Sequence, residues 1–298
     1  MFTPNTNQTL CHFETDLIRG TLQPSGHRHG IRKLIHKPTG LSLVHPEFSL
    51  LNVYLLFATG QCIASARSFR RTVSIKSNTI TVHCEPTRAH RADLTLIYRL
   101  SPPNAIDLSI SVRARDHYPG YEALIANYFD LALQPHICTS NSYREPYWFT
   151  PTLSELYRDN ALIFPRDAES AQLHLDGRWS NVRSIYQWKS QNYYAYPLAM
   201  QVHSEHNIAA LLMTHPKTCP SLSWTVGFAD AKISSHRSDH LDDPLKARNP
   251  LYLSQFGHHL HPTVRYITQI RLAIDQLDAQ MTLPIKAYQT FATTTKKD

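Results

Sequence analysis

Residues 117–130 read HYPGYEALIANYFD and set the structural class of the chain. A Pro-Gly turn opens this stretch, and ten residues that favour β-strands follow it. Side chains alternate along a strand, so the even-numbered residues from Glu122 to Asp130 share one face and the odd-numbered residues from Tyr121 to Phe129 share the other. Apolar and aromatic residues occupy both faces, and a carboxylate (Glu122) and an amide (Asn127) stand among them. The pattern predicts a central strand that lines a functional site.

Alternating segments precede this stretch and are joined to it by short turns. A hairpin pattern covers residues 71–84, and two longer alternating segments cover Ala92–Leu100 and Ala105–Arg115. Links this short permit antiparallel pairing. We count about fifteen strand-like segments and almost no helix in the whole chain, against about one-third helix in an average domain. No linker divides the chain, so the sequence predicts one all-β domain over residues 1–298, a large antiparallel β-sandwich.

Aromatic residues concentrate in two loops, at residues 139–160 and 176–196, where strand alternation breaks down. Long irregular loops inside a compact domain are usually functional. Beside these loops we expect a helical turn near Leu153–Tyr157 and a strand over Ala171–Leu175. At the two ends of the chain we expect a strand over Phe13–Leu22 and a closing helix over Pro284–Phe291. The loop aromatics are Tyr143, Tyr147, Trp148, Tyr157, Tyr186, Trp188, Tyr193, Tyr194 and Tyr196.

Charge and cysteine content indicate the surroundings of the chain. The formal net charge of +7 favours an anionic partner, but the basic residues are dispersed, which argues against a nucleic-acid groove. No run approaches the roughly 18 apolar residues of a membrane span, and the first residues lack a secretory pattern. The five scattered cysteines favour reduced thiols in the cytoplasm. The sequence contains no signal for an oligomeric state.

A single domain of 298 residues, built from long antiparallel strands, resembles the β-supersandwich of the galactose mutarotase-like superfamily. A polar turn over Gly257–Pro262 and a long amphipathic strand over Val264–Ile274 add to the resemblance. The resemblance implies a concave sheet that commonly holds a sugar, and the activity of an aldose epimerase, a glycoside hydrolase or a polysaccharide lyase. Aldose epimerases of this kind use a histidine acid and a glutamate base late in the chain, whereas the last glutamate here is Glu205.

Such activities need acid–base groups. Histidine suits proton transfer near neutrality, and a tyrosine suits a lyase-type proton donor. Asp130 shares a face with Glu122 but lies roughly 26 Å away along the strand, beyond the roughly 5–9.5 Å of a glycosidase pair. A partner for Glu122 must therefore come from another strand; the alternative is a buried carboxylate paired with an arginine. The catalytic candidates are His29, Arg71, Tyr121, Glu122 and His203.

Substrate contacts are expected from arginines beside carboxylates and from loop aromatics. Guanidinium groups bind hydroxyls and carboxylates in a bidentate manner, and aromatic faces stack on sugar rings. The alternative is an ordinary arginine–aspartate pair, a turn aspartate and aromatic plugs at the sandwich ends. The expected ligand is a sugar or oligosaccharide, including an acidic one. The substrate-binding candidates are Asn127, Tyr143, Trp148, Arg166, Asp167, Arg178, Trp179 and Tyr194.

Two other functions stay open. His27-Arg28-His29 and His259-Leu260-His261 each place two imidazoles on one side if extended, as in a site for zinc or another divalent ion. With eighteen histidines such spacing also arises by chance, so we predict no cofactor and keep a metal-dependent enzyme as an alternative. The other alternative is a non-catalytic carbohydrate-binding module. Phosphate-binding loops and serine-nucleophile motifs are absent from the sequence.

Overall fold

The computed structural model describes residues 1–7, 9–141, 145–151, 160–179, 187–225, 227–228, 247–248 and 250–294. Strands make up 57% and helices 11%, which confirms the all-β prediction. In chain order the strands are β1 (Phe2–Pro4), β2 (Cys11–Glu14), β3 (Ile18–Gln23), β4 (Gly30–His36), β5 (Asn52–Ala58), β6 (Gln61–Ser65), β7 (Arg71–Lys76), β8 (Thr79–Cys84), β9 (Ala92–Ser101), β10 (Ala105–Ala114), β11 (Tyr118–Tyr128), β12 (Gln134–Ser140), β13 (Pro146–Phe149), β14 (Asn160–Pro165), β15 (Gln187–Ser190), β16 (Tyr194–His203), β17 (Ile208–Thr214), β18 (Ser221–Thr225), β19 (Gly227–Phe228), β20 (Ala247–Arg248), β21 (Pro250–Leu260) and β22 (Arg265–Gln276). The helices are α1 (Ala168–Leu173) and α2 (Leu283–Thr294), with single 3-10 turns at Ala66–Ser68, Ser204–His206 and Pro216–Thr218.

Two large sheets form the sandwich. The nine-stranded sheet is antiparallel throughout and has the order β13-β12-β16-β17-β22-β10-β9-β8-β7. The seven-stranded sheet has the order β15-β14-β18-β21-β11-β5-β6, with one parallel pair, β14 and β15. β11 lies inside this sheet between β21 and β5, which confirms the central strand predicted from residues 117–130.

The core fills the space between the two large sheets, and the alternation of β11 decides which side chains enter it. Tyr121, Ala123 and Ile125 belong to the core cluster, whereas Leu124 and Ala126 face the other way. Polar groups also link the layers: Gln255 Oε1 accepts hydrogen bonds from Thr214 Oγ1 at 2.9 Å and from Thr268 Oγ1 at 2.5 Å. We call the side of the seven-stranded sheet that is turned away from this core the outer face.

A four-stranded sheet, β1-β2-β3-β4, packs onto the same core. Phe13, Ile18 and Leu22 are buried there, and Ile31 exchanges two backbone hydrogen bonds of 2.9 Å with Leu50. The strand expected over Phe13–Leu22 is divided between β2 and β3. The division follows from Thr15, whose backbone N–H and Oγ1 both bond Ile18 O and make a turn.

The two helices lie outside the sandwich core. Tyr288 and Phe291 of α2 pack against apolar residues on the far side of the nine-stranded sheet, as the expected closing helix should. The strand expected over Ala171–Leu175 is wrong, because residues up to Leu173 form α1. Its sequence AESAQL is rich in helix formers, and the Asp167 carboxylate caps it by accepting from Ser170 N.

The two predicted aromatic loops contain more strand than expected. β12 and β13 pair within and next to residues 139–160, and β15 and the start of β16 lie within residues 176–196. The helical turn expected near Leu153–Tyr157 lies outside the described residues. In the described part of the chain, no helix is long and apolar enough to cross a membrane.

Candidate functional site

Glu122 stands on the outer face at one end of the central strand. It lies opposite Phe57 of β5 and Phe256 of β21, next to a register shift between Tyr121 and Glu122. The shift interrupts the regular ladder, and such irregularities often aim a side chain at a functional site. The Glu122 side chain is completely buried. A carboxylate in this position needs a partner.

Arg178 is that partner, and it is completely buried as well. Its NH1 donates to Glu122 Oε2 at 2.5 Å, its NH2 donates to Asp176 Oδ2 at 2.8 Å, and NH2 also reaches Gly120 O at 3.1 Å. Burial by itself would lower the pKa of Arg178, but the charges of Glu122 and Asp176 outweigh it and leave that pKa raised. The guanidinium is therefore fixed between two carboxylates.

His174 and Trp179 complete the site above the ion pair. His174 Nε2 is 2.9 Å from Ser221 Oγ, and Trp179 Nε1 is 3.5 Å from His174 Nδ1. Burial lowers the pKa of His174, and the nearby Glu122 charge only partly offsets this effect. The imidazole is thus neutral at pH 7. We call Glu122, His174, Asp176, Arg178, Trp179 and Ser221 the Glu122 cluster.

The turn after α1 positions four members of this cluster, His174, Asp176, Arg178 and Trp179, and two glycines outside the turn make room for it. Gly177 has φ +88° within the turn itself. A Cβ on Gly60 would lie 2.9 Å from Asp176 O, and one on Gly120 would lie 3.2 Å from Arg178 NH2. Both glycines also have positive φ angles, so any other residue would strain the backbone there.

Several buried polar atoms on the outer face have no hydrogen-bond partner among the described residues. They are Glu122 Oε1, Ser254 Oγ and Thr225 Oγ1. Ser254 lies beside Leu124 in the neighbouring strand, and Thr225 lies on β18 beyond it. An unpaired buried polar group costs about 1–3 kcal/mol, and native structures usually have a reason for keeping one. A ligand hydroxyl group would satisfy Glu122 Oε1, whereas Thr225 lies near the Tyr128 end of β11, too far along the sheet for the same small ligand.

A cluster of buried apolar and aromatic side chains continues from the Glu122 cluster along the outer face. Phe48 stacks on Tyr128 with ring centroids 4.6 Å apart, and Tyr128 meets Tyr252 edge-on at 6.4 Å. At the cluster itself Trp179 contacts Phe57 at 4.5 Å. His174 and Trp179 are partly exposed, so the site reaches the surface at this end while Glu122 lies beneath. A carboxylate next to aromatic rings suits a sugar, whose ring has apolar faces and hydroxyl edges.

Among the other catalytic candidates, the structure brings His29 and Arg71 together away from Glu122. His29 Nδ1 donates to Gly26 O at 3.0 Å and Nε2 accepts from Val53 N at 3.1 Å. Burial, followed by the charge of Arg71, lowers the pKa of His29 well below its usual value. Both ring nitrogens are engaged by the backbone, which favours a structural role.

Tyr121 and His203 also lie apart from the Glu122 cluster. Tyr121 points into the core, where its hydroxyl lies 3.0 Å from His90 Nε2, and burial raises its pKa. His203 ends β16 in the other sheet and stacks on His206 with centroids 4.8 Å apart. Neither side chain shares a surface with Glu122 among the described contacts.

Of the substrate-binding candidates, Arg178 and Trp179 join Glu122, and several others hold the fold together. Asn127 Oδ1 accepts a hydrogen bond from Leu51 N at 2.8 Å, and Asn127 Nδ2 donates one to Leu251 O at 3.2 Å. Trp148 Nε1 donates to Met281 O at 3.1 Å under α2, and Tyr194 OH donates to Cys219 O at 2.6 Å.

Arg166 and Asp167 form the ordinary pair that was considered as the alternative, with Arg166 Nε 2.7 Å from Asp167 Oδ2. Asp167 in addition caps α1. Tyr143 lies outside the described residues. The two arginines that were expected to contact substrate therefore already have carboxylate partners in the protein.

The HxH pairs do not assemble a metal site in the part of the chain that the structure describes. His27 is exposed in a turn while His29 is buried, so the two rings do not share a face. His117 lies 4.9 Å from the ring of His261 and 6.0 Å from that of His259. His259 Nδ1 accepts from Gly120 N at 2.9 Å, which fixes the remaining proton on the nitrogen that a metal would need.

The sequence did not single out His174, Ser221 or Ser254 as site residues. Each lies in an unremarkable segment, and only the sheet order brings them near Glu122. The polar residues that alternate with Leu222 and Trp224 in β18 were the available signal, since a strand with serines on one face has one side that is not core.

Comparison with known proteins gives the fold but no sequence relative. No protein-family model and no curated protein matches the chain. A galactose mutarotase-like protein from Lactobacillus casei is similar in structure, with a TM-score of 0.55 and 9% identity over 89% of this chain and 100% of that one. A putative aldose 1-epimerase from Escherichia coli has a TM-score of 0.51 and 9% identity over 90% of this chain and 99% of its own. A putative mutarotase from Salmonella typhimurium has a TM-score of 0.51 and 8% identity over 93% of this chain and 97% of its own. This chain has the galactose mutarotase-like β-sandwich fold.

Proposed function

We propose that this chain is a carbohydrate-active protein that binds a sugar at the Glu122 cluster. The observation that carries the proposal is the buried Glu122 carboxylate: its Oε1 has no partner in the part of the chain that the structure describes, and the partly exposed His174 and Trp179 lie between it and the surface. Solved proteins of the same fold are described as mutarotases and aldose epimerases, which supports a sugar as the ligand. A fold alone does not establish a function, so the proposal rests on the residues of the site.

Proton transfer of the mutarotase type is the chemistry that the cluster supports best. Glu122 Oε1 would accept the proton of the anomeric hydroxyl as the ring C–O bond breaks, water would supply a proton to the ring oxygen, and the Ser221 hydroxyl, held by His174 Nε2, would donate a hydrogen bond to that oxygen. Ring closure would return both protons. Hydrolysis has less support, because the other carboxylate in the cluster, Asp176, is engaged by Arg178.

The charges of the cluster favour a neutral sugar over an acidic one. Two carboxylates face one guanidinium there, and Arg178 donates its hydrogen bonds to oxygens of Asp176, Glu122 and Gly120. Arg71 NH1 and NH2 likewise donate to Pro24 O at 3.2 Å and Ala66 O at 2.7 Å. A uronate would meet net negative charge without a cation to pair with it.

A non-catalytic sugar-binding module is the second candidate. The outer face beyond the cluster is apolar and aromatic, with Leu55, Leu124 and Ala126 beside Tyr128 and Tyr252. These side chains are buried, so the partly exposed Trp179 is the ring that would hold a sugar without supplying acid–base groups. Binding of a sugar without any change in its anomerisation rate would favour this second function.

The experiment is anomer exchange of D-glucose and D-galactose, followed by NMR, with wild-type protein and with the Glu122→Gln and Glu205→Gln variants. Glu205 is an exposed control. We expect catalysed exchange that Glu122→Gln lowers at least tenfold and that Glu205→Gln leaves unchanged. If neither sugar changes the tryptophan fluorescence of the protein and anomer exchange stays at the uncatalysed rate, the proposal is wrong.

Two broader proposals accompany this one. We infer that residues 1–298 form one domain, because the two large sheets and the N-terminal sheet share a core cluster. We also propose a cytoplasmic location, which is supported by five free thiols, four of them buried.

A further inference from the structure

A cavity of about 310 Å³ lies where the edges of the two large sheets approach each other. Its walls come from β12 and β13 of the nine-stranded sheet, and from β14 and the segment at the end of β15 of the seven-stranded sheet. The described lining residues are Thr139, Tyr147, Phe149, Phe164, Ser190, Gln191 and Asn192.

This cavity is separate from the Glu122 cluster. Phe164 belongs to the core cluster and pairs in register with Leu222, so it projects from the core side of the seven-stranded sheet. The Glu122 cluster lies on the outer face of the same sheet. The two sites therefore open on opposite sides of one layer.

The lining has the chemistry of a site for a neutral, hydroxyl-rich ligand. Phe149 and Phe164 contact each other with ring centroids 5.3 Å apart, and Phe164 is buried beneath the cavity while Phe149 is partly exposed. Asn192 Nδ2 donates to Tyr147 OH at 3.2 Å, which orients a phenol and an amide side by side. Hydroxyl and amide groups both donate and accept, as the hydroxyls of a sugar require.

The uncharged lining and the volume of the cavity restrict the class of ligand further. The described lining contains no Asp, Glu, Lys, Arg or His, so a charged ligand would lose its hydration without gaining an ion pair. The volume lies at the lower end of the roughly 300–1,000 Å³ of ligand pockets, which fits one sugar ring better than a chain of them.

We propose that this cavity is a second binding site, specific for a neutral compound of monosaccharide size. The site bonds the hydroxyls of the ligand to Tyr147, Ser190 and Asn192 and places its ring beside the partly exposed Phe149. It is independent of catalysis at Glu122. Occupation would also join the edges of the two sheets, and should raise the unfolding temperature.

The test is calorimetric titration with D-glucose, D-galactose and D-glucuronate in a Glu122→Met/Arg178→Met background, which removes both charges of the first site. Ser190 is exposed, so Ser190→Trp fills the cavity without disturbing the core; Ser25→Trp, in an exposed turn, is the matched control. Asn192→Leu removes the amide and Tyr147→Phe the hydroxyl. Thermal unfolding of each variant confirms that it is folded.

We expect one of the neutral sugars to bind with a stoichiometry of one. Ser190→Trp should abolish this binding, Asn192→Leu should weaken it at least tenfold, and Ser25→Trp should leave it unchanged. Absence of binding by either neutral sugar, preference for glucuronate, or binding that survives Ser190→Trp would overturn the proposal. Anomer exchange that persists in Ser190→Trp with Glu122 intact would show that the first site works without the second.

Discussion

Glu122 and Arg178 form one buried ion pair although 56 residues separate them in the chain. The sequence singled out both residues, and it raised a buried carboxylate–arginine pair as one of two interpretations of Glu122. It could not identify the arginine, because no local periodicity connects a strand to a distant turn. His174 was missed for the same reason, since its proximity to Glu122 arises only from the packing of that turn on the sheet.

Removing one member of this pair should destabilise the protein strongly. We expect Glu122→Ala to lower the free energy of unfolding by roughly 3–5 kcal/mol, because Arg178 would stay buried with a poorer partner. Asp176 still contacts Arg178, which favours the lower end of that range. Urea denaturation measures the change. The exposed Glu205→Ala should shift it by less than about 0.5 kcal/mol, and an equally small shift for Glu122→Ala would show that the pair is not important for stability.

His90 should make the protein sensitive to mild acid. Burial lowers its pKa from the usual 6.5 to about 4, so the unfolded chain takes up a proton at a higher pH than the folded one. Stability from this residue is complete above about pH 6.5 and falls as the pH drops toward 4, by roughly 3 kcal/mol in all. The free energy of unfolding, followed from pH 7 to 4, should therefore change less steeply in His90→Gln. Identical slopes in the two proteins would contradict the prediction.

At the level of elements, strand alternation was a good guide where one face of a strand meets the core. β9, β10 and β11 follow it closely because one side of each meets the core. The edge strands β13 and β15 were missed, since short edge strands carry little alternation. In α1 a six-residue helix was mistaken for a strand, because a segment this short cannot show a helical period.

The N-terminal cap of α1 offers a test of how the cluster is positioned. Asp167→Ala should cost about 1 kcal/mol, because Ser170 N loses its acceptor at the start of the helix that leads to His174 and Arg178. Asp167→Asn is the matched variant: it keeps a capping oxygen and removes only the partly exposed ion pair with Arg166, which contributes little. In urea denaturation, the free energy of unfolding of Asp167→Asn should be close to that of the wild type, and that of Asp167→Ala should be lower than both. An Asn variant as unstable as Ala would assign the effect to the ion pair instead.

Trp148 and Trp179 lie in the two predicted aromatic loops, and we expect them to have different roles. Trp148→Phe removes a hydrogen bond to Met281 O and should lower stability by about 0.5–1.5 kcal/mol while leaving sugar affinity unchanged. Trp179→Phe should weaken sugar binding, since the indole bridges His174 and Phe57. Calorimetric titration of the two variants side by side is the measurement. Weaker binding by Trp148→Phe than by Trp179→Phe would reverse the assignment.

For the whole molecule, strand content was enough to predict the β-supersandwich, and the fold was confirmed by structures at 8–9% identity. The sequence could not supply the order of the strands. β11 lies between β21 and β5, which are far from it in the chain on either side. That order is what places Ser254, Ser221 and the turn after α1 around Glu122, so a site assembled from four elements was beyond local reasoning.

Sugar binding by the Glu122→Met/Arg178→Met double variant tests the central proposal most directly. Replacing both buried charges with apolar side chains of similar size is often neutral for stability, so the fold should persist when the chemistry is removed. In a Ser190→Trp background, which fills the second cavity, calorimetric titration with D-galactose or D-glucose should show saturable binding while the ion pair is intact. We expect that binding to disappear in the double variant at an unchanged unfolding temperature. Equal affinity with and without the pair would contradict the assignment of the sugar site to the Glu122 cluster.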